Sequence, residues 1–470
     1  MSDPQHAKIV YEPPDDDRPA SATPTEPLLE QQTPAGRDAA AHDPYAALRN
    51  RHFRFLASGF FITVIAAQMQ TVAAQYEIYA RTGSALSLGV LGGVLAVPML
   101  LLALPAGALA DAFSRRKIVL GMLCCNGLLA LGLAGLSFAC ADWPTRTWVT
   151  AMYLLLGLGN AAATIGRPAR TSLLPQLVPP RIFSNAVTWN SSIFETASML
   201  GPAIGGFVVA RSITGAYLLA SVCWFACCLF VYALPDIKPP PRQRSGSRLA
   251  DLFVGLRFVG KTRLMLGAMT LDLFAVLFGG ATFLFPVFAR DILHVGPTGF
   301  GWLRAAPAIG AFAMALTIAH RPPIQRAGRA LLLAVTGFGV ATIVFGLSKN
   351  FWLSFAMLIA TGMCDNISVV VRHTLVQMLT PDSMRGRVSA VNQIFIGSSN
   401  EIGGLESGLT AQWFGPVISV VGGGVGTLLV VGTVGAIFPE IRKLGSLRDI
   451  RPERLEASEP QDLPATPVAK

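Results

Sequence analysis

Twelve long apolar runs constrain the fold of this chain more than any other feature of its 470 residues. Short polar connections separate most of them, and their lengths are close to the roughly 20 residues that a helix needs to cross a bilayer. Inside lipid, backbone N–H and C=O groups must be paired internally, so each run is predicted to be a membrane-spanning helix. The predicted runs are 53–79, 84–110, 118–139, 147–167, 183–210, 213–235, 264–288, 298–319, 329–348, 351–371, 387–410 and 413–437.

The composition agrees with a membrane protein. Hydrophobic residues make up 52% of the chain and charged residues 14%, whereas a soluble domain carries about 25% charged residues. The seven cysteines lie within or at the ends of apolar runs and form no Cys-x-x-Cys pair, so neither a zinc site nor a disulfide framework is expected. We predict an all-α membrane protein with no metal site and no cofactor.

One connecting segment occurs twice. The segment from Arg170 to Pro179 closes one apolar run and leads to the next, and the segment from Arg372 to Pro381 does the same. The two arginines are 202 residues apart, as are the two prolines, and an Ala-Val pair follows both segments. A nearly constant offset of almost half the chain predicts a duplicated unit of six helices.

The domain boundaries follow from changes in composition. Residues 1–45 are polar and nearly free of aromatic residues, which predicts a disordered cytoplasmic tail rather than a signal peptide. Two six-helix bundles are predicted at 46–235 and 264–438, joined by the basic linker 236–263 with its three consecutive prolines. Residues 439–470 are predicted to form a second cytoplasmic tail.

Basic residues predict the orientation in the membrane. The five connections on the side of the two termini hold 19 Lys and Arg residues, and the six opposite connections hold 5. Because positive residues stay in the cytoplasm, both termini are predicted to lie there, in the cytoplasmic membrane of a bacterium. The net charge of +10 is then a topology signal and an attraction to membrane lipid. No nucleic-acid partner is expected.

The connection between the second and third runs contains a signature. It resembles the Gly-x-x-x-Asp-Arg-x-Gly-Arg-Arg/Lys loop of the major facilitator superfamily, although Ala112 and Ser114 depart from that pattern. The residues that match are Gly107, Asp111, Arg115 and Arg116. A weaker copy between the eighth and ninth runs keeps Arg326, Gly328 and Arg329 but has Gln325 in place of the Asp.

The resemblance covers about residues 48–440. It implies two six-helix bundles, related by a parallel repeat, that rock about a midplane cavity while the signature loops gate the inner face. The sequences of Arg167–Asn190 and Asn400–Gly408 are similar to those of the branch that contains enterobactin-type siderophore exporters and drug-efflux proteins. From the residues alone, Asp111 is either a latch, through charge-assisted hydrogen bonds, or only a topology determinant.

The fifth run carries closely spaced small residues. They resemble the antiporter motif of facilitator exporters, although Ala197 replaces its leading Gly. The matching residues are Gly201, Pro202, Gly205 and Gly206. The alternative is plain helix packing, because small residues four apart let backbones approach closely in lipid.

Ionisable residues inside the runs are candidates for proton coupling or for the substrate cavity, since buried charges in a membrane are costly. They are Asp272, Glu195, Arg304, Asp365 and Glu401. Asp272 is a lone carboxylate in its apolar run and is the first candidate for coupling, unless it is structural and pairs with a basic residue. Asp365 would pair with Arg372, and Arg304 with Glu401, if these residues were structural.

These observations predict a secondary transporter. No phosphate-binding Gly-x-x-x-x-Gly-Lys-Ser/Thr loop and no catalytic motif occurs, so neither ATP hydrolysis nor an enzyme is expected. The predicted function is proton-coupled export of a small molecule, such as a siderophore or a hydrophobic drug, by a monomer. A transporter of lipid or another solute in another direction is the alternative, and a membrane enzyme or a receptor is more distant.

The orientation is tested by labelling. In a variant without the native cysteines, a membrane-impermeant thiol reagent applied from outside should label a cysteine placed near Asp142 and spare one near Ser245. Permeabilised cells control for reactivity, since both sites should then react. Labelling of the Ser245 site in intact cells would reverse the predicted orientation.

Overall fold

The computed structural model describes residue 43 and residues 45–140, 142–236, 248–279, 281–321, 324–381 and 384–445. Both predicted tails fall largely outside the described residues, as does the first part of the predicted linker. Every regular element in the described part of the chain is helical.

Twelve long helices correspond one to one with the predicted apolar runs. In the first half they are α1 (Arg51–Thr82), α2 (Ala85–Ala112), α3 (Arg115–Ala139), α4 (Thr145–Thr171), α5 (Phe183–Arg211) and α6 (Ile213–Tyr232). In the second half they are α7 (Arg263–Gly279), α8 (Gly296–Ala319), α9 (Ala327–Leu347), α10 (Phe351–Leu379), α11 (Arg385–Phe414) and α12 (Pro416–Ile437).

Eleven helices in the described residues are long and apolar enough to cross a membrane. The exception among the twelve is α11, which is 30 residues long but carries Asn392, Gln393, Asn400 and Glu401. This helix packs against α2, α7 and α12, so protein rather than lipid surrounds much of it. The predicted class, an all-α membrane protein, is confirmed.

The seventh run differs from its prediction. One continuous helix was expected over 264–288, but α7 ends at Gly279 and the chain continues as a 3₁₀ turn, Ala281–Leu284. A short α-helical turn that contains Pro286 follows, and then a π-helical turn, Phe288–Ile292. Pro286 has no N–H to donate and displaces the preceding carbonyl, which interrupts regular α-helical bonding.

The two halves meet along two helix pairs, α2 with α11 and α5 with α8. We call the side on which α1 begins and α12 ends the terminal face, and the side of the α1–α2 connection the distal face. Both pairs cross near the distal face. A Cβ atom added to Gly206 of α5 would lie 2.6 Å from Cα of Gly301 in α8, and one added to Gly89 of α2 would lie 2.7 Å from Cα of Gly408 in α11. The backbones of the two halves are therefore in direct contact there.

Polar contacts also join the halves at the distal face. Tyr79 of α1 donates a hydrogen bond to the carboxylate of Asp291, in the π-helical turn. Arg290 donates to the carbonyl oxygen of Ala80 over 3.2 Å, and the Ser84 hydroxyl donates to the Gln412 side chain over 3.3 Å. Together with the glycine crossings, these bonds close the distal face.

The glycine crossing gives a stability prediction. Gly206→Ala should separate the distal ends of α5 and α8, because overpacking costs roughly 1–3 kcal/mol and the atoms in the way belong to backbone. Distances between spin labels at Arg211→Cys and Lys349→Cys report the separation by pulsed electron paramagnetic resonance. Gly121→Ala in α3 is the control, because its Cβ would meet nothing within 4 Å. A distance distribution for Gly206→Ala that matches the parent would contradict the role of this crossing.

Candidate functional site

A cavity of about 330 Å³ is lined by helices of the second half and by Glu195 of the first half. Its wall is mostly apolar and aromatic, with contributions from Phe285, Phe338 and Phe345. The polar and charged side chains that line it are Glu195, Thr282, Thr342, Thr361, Asp365, Asn366 and Asn400. An apolar chamber with a few polar groups is the usual form of a small-molecule site.

A buried ion pair lies beside this cavity. Arg372 of α10 and Asp272 of α7 are in direct contact, and their side chains are only 3% and 9% exposed. Asp272 is therefore not the lone carboxylate that its apolar run suggested. The alternative expectation, that it pairs with a basic residue, describes this geometry. Arg372 Nε has no hydrogen-bond partner, which leaves the guanidinium incompletely satisfied.

Two further carboxylates belong to the same electrostatic cluster. Asp365 of α10 interacts electrostatically with Asp272, Arg372 and Glu195. The predicted pairing of Asp365 with Arg372 gives way to the pair with Asp272, because Arg372 directs its guanidinium toward α7. Glu195 on α5 comes from the first half, so the cluster spans both halves. Asp272 and Asp365 share the Arg372 guanidinium, and Glu195 adds a like charge near Asp365, in a low-dielectric region where charge interactions are strong.

Arg304 and Glu401 were expected either to form an ion pair or to line the cavity together. They interact electrostatically, but no ion pair joins them in the part of the chain that the structure describes. Oε2 of Glu401 is buried without a hydrogen-bond partner. Glu401 also interacts with Arg167 at the end of α4, in the other half. Glu401 thus lies between cations of both halves.

The first signature loop binds its own half of the protein. Arg115 donates to the carbonyl oxygen of Ser172 over 3.2 Å, and Arg116 donates to that of Tyr232 over 2.6 Å. The Arg116 guanidinium also lies 4.9 Å from the centre of the Tyr232 ring. Gly107 and Asp111 lie inside α2, in its last two turns. These contacts tie the start of α3 to the ends of α4 and α6.

The second signature loop packs on a segment that the sequence assigned to a tail. A Cβ atom on Gly328 would lie 1.7 Å from the carbonyl oxygen of Ile441, so only glycine fits there. Ala327 N–H donates to the carbonyl oxygen of Gly445 over 3.0 Å. Arg329 lines a cleft of about 570 Å³ with Arg442 and Lys443, and Arg326 precedes α9 as its N-cap. The chain after α12 is therefore docked on α9 as far as residue 445.

The antiporter-like residues pack against two helices. A Cβ atom on Gly201 would lie 2.7 Å from Cβ of Gln68, and one on Gly205 would lie 3.0 Å from Cα of Met69, both on α1. Gly206 and Pro202 both contact α8. A Cβ atom added to Gly301 of α8 would lie 2.8 Å from the carbonyl oxygen of Pro202. All four residues thus lie where α5 approaches another helix closely.

Two charged residues were not proposed from the sequence as site residues. Arg170 was assigned only to the repeated connection, and Arg372 to that connection and to a possible pair with Asp365. In the structure Arg372 holds Asp272, and the Arg170 guanidinium lies 4.5 Å from the ring centre of Phe60. The repeat was the signal, because both arginines belong to the duplicated segment. No group of three or more His, Cys, Asp or Glu residues that would hold a metal ion occurs among the described residues.

Comparison with known proteins gives a family and a fold. The family model described as "Transmembrane secretion effector", a major facilitator family, matches residues 42–460. The enterobactin exporter EntS of Escherichia coli O1:K1 is 27% identical over 397 residues, which are 83% of this chain and 92% of that protein. EntS of Shigella boydii serotype 18 matches to the same extent.

Solved structures share the fold at low sequence identity. The nucleoside transporter NupG superposes with a TM-score of 0.62 at 14% identity, over 84% of this chain and all of that chain. A bacterial homologue of the human lysosomal transporter Spinster, in an inward-facing and unoccupied conformation, superposes with a TM-score of 0.61 at 15% identity, over 84% and 97% of the two chains.

The buried ion pair gives a second stability prediction. Arg372→Gln should lower the melting temperature, because it leaves Asp272 without a cation at a cost of about 3–5 kcal/mol. The double variant Arg372→Gln with Asp272→Asn should recover part of the loss, because Asp272 is then neutral while Asp365 still lacks its cation. Thermal unfolding of the purified protein in detergent measures both effects.

The matched control is Arg263→Gln. Arg263 and Glu440 lie 3.6 Å apart and their side chains are 66% and 40% exposed, so losing that pair should cost about 0–1 kcal/mol. Equal melting temperatures for Arg372→Gln and Arg263→Gln would show that the buried pair is not structurally important.

Proposed function

Because the chain belongs to the transmembrane secretion effector family of major facilitator transporters, we propose that it exports a small molecule in exchange for protons. It operates as a monomer in the bacterial inner membrane, with the terminal face in the cytoplasm. The substrate class is that of the siderophores and hydrophobic drugs, a choice supported by relatives named as enterobactin exporters. Membership of the family implies transport. We propose in addition the export direction, the coupling to protons and the substrate class.

The buried charge cluster carries the proposal. Asp272 and Asp365 both interact with Arg372, and Asp365 and Glu195 line the cavity. Charges this deep in a membrane protein are retained when they serve ion or substrate movement. A proton that binds Asp365 removes one competitor for the guanidinium, and a proton that binds Asp272 releases Arg372 toward Asp365. The cluster thus has two charge arrangements that differ in which carboxylate, Asp365 or Asp272, holds the proton.

The contacts between the halves supply the mechanical part. When the bundles rock, the distal contacts of Tyr79 with Asp291 and of Gly206 with Gly301 separate, and the cavity opens to the other side. Glu195 lies on the first half and Asp365 on the second, so the same motion changes the distance between them. Proton binding and the position of the halves are coupled through this change in electrostatic energy.

The signature loops act at the terminal face in this scheme. The contacts of Arg115 and Arg116 make the start of α3 rigid with its own half, so Asp111 moves as one body with that half. Arg326, Gly328 and Arg329 stand at the corresponding place in the second half. We assign to both loops the role of a latch on the cytoplasmic side. Arg304 and Glu401 contribute to the cavity wall, and membrane lipid contacts the outer helix surfaces.

The proposal is tested in inverted membrane vesicles with an imposed pH gradient. Wild-type protein should concentrate a catecholate siderophore inside the vesicles when their interior is acidic. Asp272→Asn and Asp365→Asn should each abolish gradient-driven accumulation by at least tenfold while retaining downhill exchange, because each removes one of the two proton-dependent charge arrangements.

Asp142→Asn is the matched control, since this exposed aspartate lies on the connection between α3 and α4, away from the cluster. It should transport like the wild type. Full accumulation by both Asp272→Asn and Asp365→Asn would rule out this cluster as the coupling site and make Glu195 and Glu401 the next residues to test. Wild-type accumulation that ignores the pH gradient would exclude proton exchange.

A further inference from the structure

The two duplicated arginines have different surroundings. Arg372 lies inside α10, about two turns before its end, and follows Arg170, its counterpart in the repeat near the end of α4, by 202 residues. Arg372 has Asp272 as its carboxylate partner. Arg170 makes no ion pair with any carboxylate in the described part of the chain, and the like charge of Arg167 repels it. One half of the protein thus neutralises its arginine, and the other half does not.

An aromatic pair, and not a carboxylate, lies beside Arg170. The Arg170 guanidinium lies over the ring of Phe60 in α1, 4.5 Å from its centre. Phe60 is stacked with Phe194 of α5, with ring centres 6.1 Å apart and an interplanar angle of 13°. Phe60 is buried, while Phe194 is 45% exposed. Stacking stabilises a guanidinium through one face and leaves its N–H groups at the edge free to donate.

The position of this group connects it with the cavity. Glu195, the residue after Phe194, lines the cavity between the halves. Arg167, one turn before Arg170, interacts with Glu401 of the other half. Arg170 and Phe194 therefore lie next to groups of the first half that reach the cavity and the second half.

We propose that Arg170, Phe60 and Phe194 form a binding site for an aromatic anion, and that the exported substrates are aromatic acids. The inference rests on the proposed export function and names its substrate class. An anionic group accepts two N–H donors from the edge of the Arg170 guanidinium, and Arg167 adds a second positive charge nearby. The aromatic body of the ligand stacks on the exposed face of Phe194. A cation of the same size is repelled by both arginines.

Equilibrium binding to purified protein in lipid nanodiscs tests the site. Three ligands of similar shape and different charge serve as probes: naphthalene-1-sulfonate, 1-naphthalenemethanol and 1-naphthylmethylammonium. Wild-type protein should bind the sulfonate roughly tenfold or more tightly than the alcohol, as expected for a charge-assisted hydrogen bond. The ammonium compound should bind weakest. Binding to empty nanodiscs is subtracted.

Variants separate charge from aromatic stacking. Arg170→Gln should reduce sulfonate affinity to that of the alcohol, and Arg170→Lys should give an intermediate value, because it keeps the charge but loses the planar fork. Phe194→Leu should weaken all three probes by a similar factor. Arg181→Gln, a substitution of an exposed arginine in the connection that follows α4, is the control and should bind like the wild type.

Binding needs no pH gradient, so its result is independent of proton exchange and of transport direction. If the protein prefers the sulfonate in the binding assay but does not concentrate substrate in vesicles, the proposed export function is contradicted and the proposed binding site is supported. Equal affinity of wild type for sulfonate and alcohol would overturn the site. So would unchanged sulfonate affinity in both Arg170→Gln and Arg170→Lys, with melting temperatures near that of the wild type showing that these variants are folded.

Discussion

Close backbone contact between glycines holds the two halves of this protein together. Lipid tails are as apolar as leucine, so burying side chains between helices gains little free energy in a membrane, and close packing must supply the attraction. Gly206 with Gly301 and Gly89 with Gly408 bring helices from different halves together with no side chain between them. All four glycines lie near the distal face, where hydrogen bonds of Tyr79 and Arg290 reinforce the contact. The rest of the structure is arranged around these two crossings.

A contact of this kind suits a reversible closure. Glycine crossings contribute dispersion energy without interlocked side chains, so separating them does not require rotamers to rearrange. The polar bonds beside them involve groups at the ends of α1 and of the interrupted seventh segment, where water would replace the lost partner. The interruption around Pro286 also places Arg290 and Asp291 against α1. The break in α7 therefore shapes the distal closure as well as the cavity wall, to which Phe285 contributes.

Charge is distributed unequally between the halves. The second half contributes Asp272, Arg372, Asp365, Arg304 and Glu401 to the region between the bundles, and the first half contributes Glu195, Arg167 and Arg170. In the second half, opposite charges lie close to one another: Asp272 pairs with Arg372, and Arg304 is attracted to Glu401. The first half has an arginine supported by aromatic rings. The two halves therefore differ in how they hold the arginine of the repeated segment, one beside a carboxylate and the other over an aromatic ring.

The sequence by itself determined the class, the number of long helices and the family. These follow from the length of apolar runs and from motif residues, both of which are local properties, and the hydrocarbon core leaves a run of 20 apolar residues little choice except a helix. The site depended on tertiary structure. Asp272 looked solitary because its partner is 100 residues away in the chain, and the docking of residues 439–445 on Gly328 depends on a carbonyl contact that has no sequence pattern. Which face of each helix meets another helix, and hence which buried charge finds a partner, is decided by how twelve similar apolar cylinders pack. Apolar patterning separates lipid from water but does not distinguish one apolar neighbour from another, so only the folded structure decided the partners.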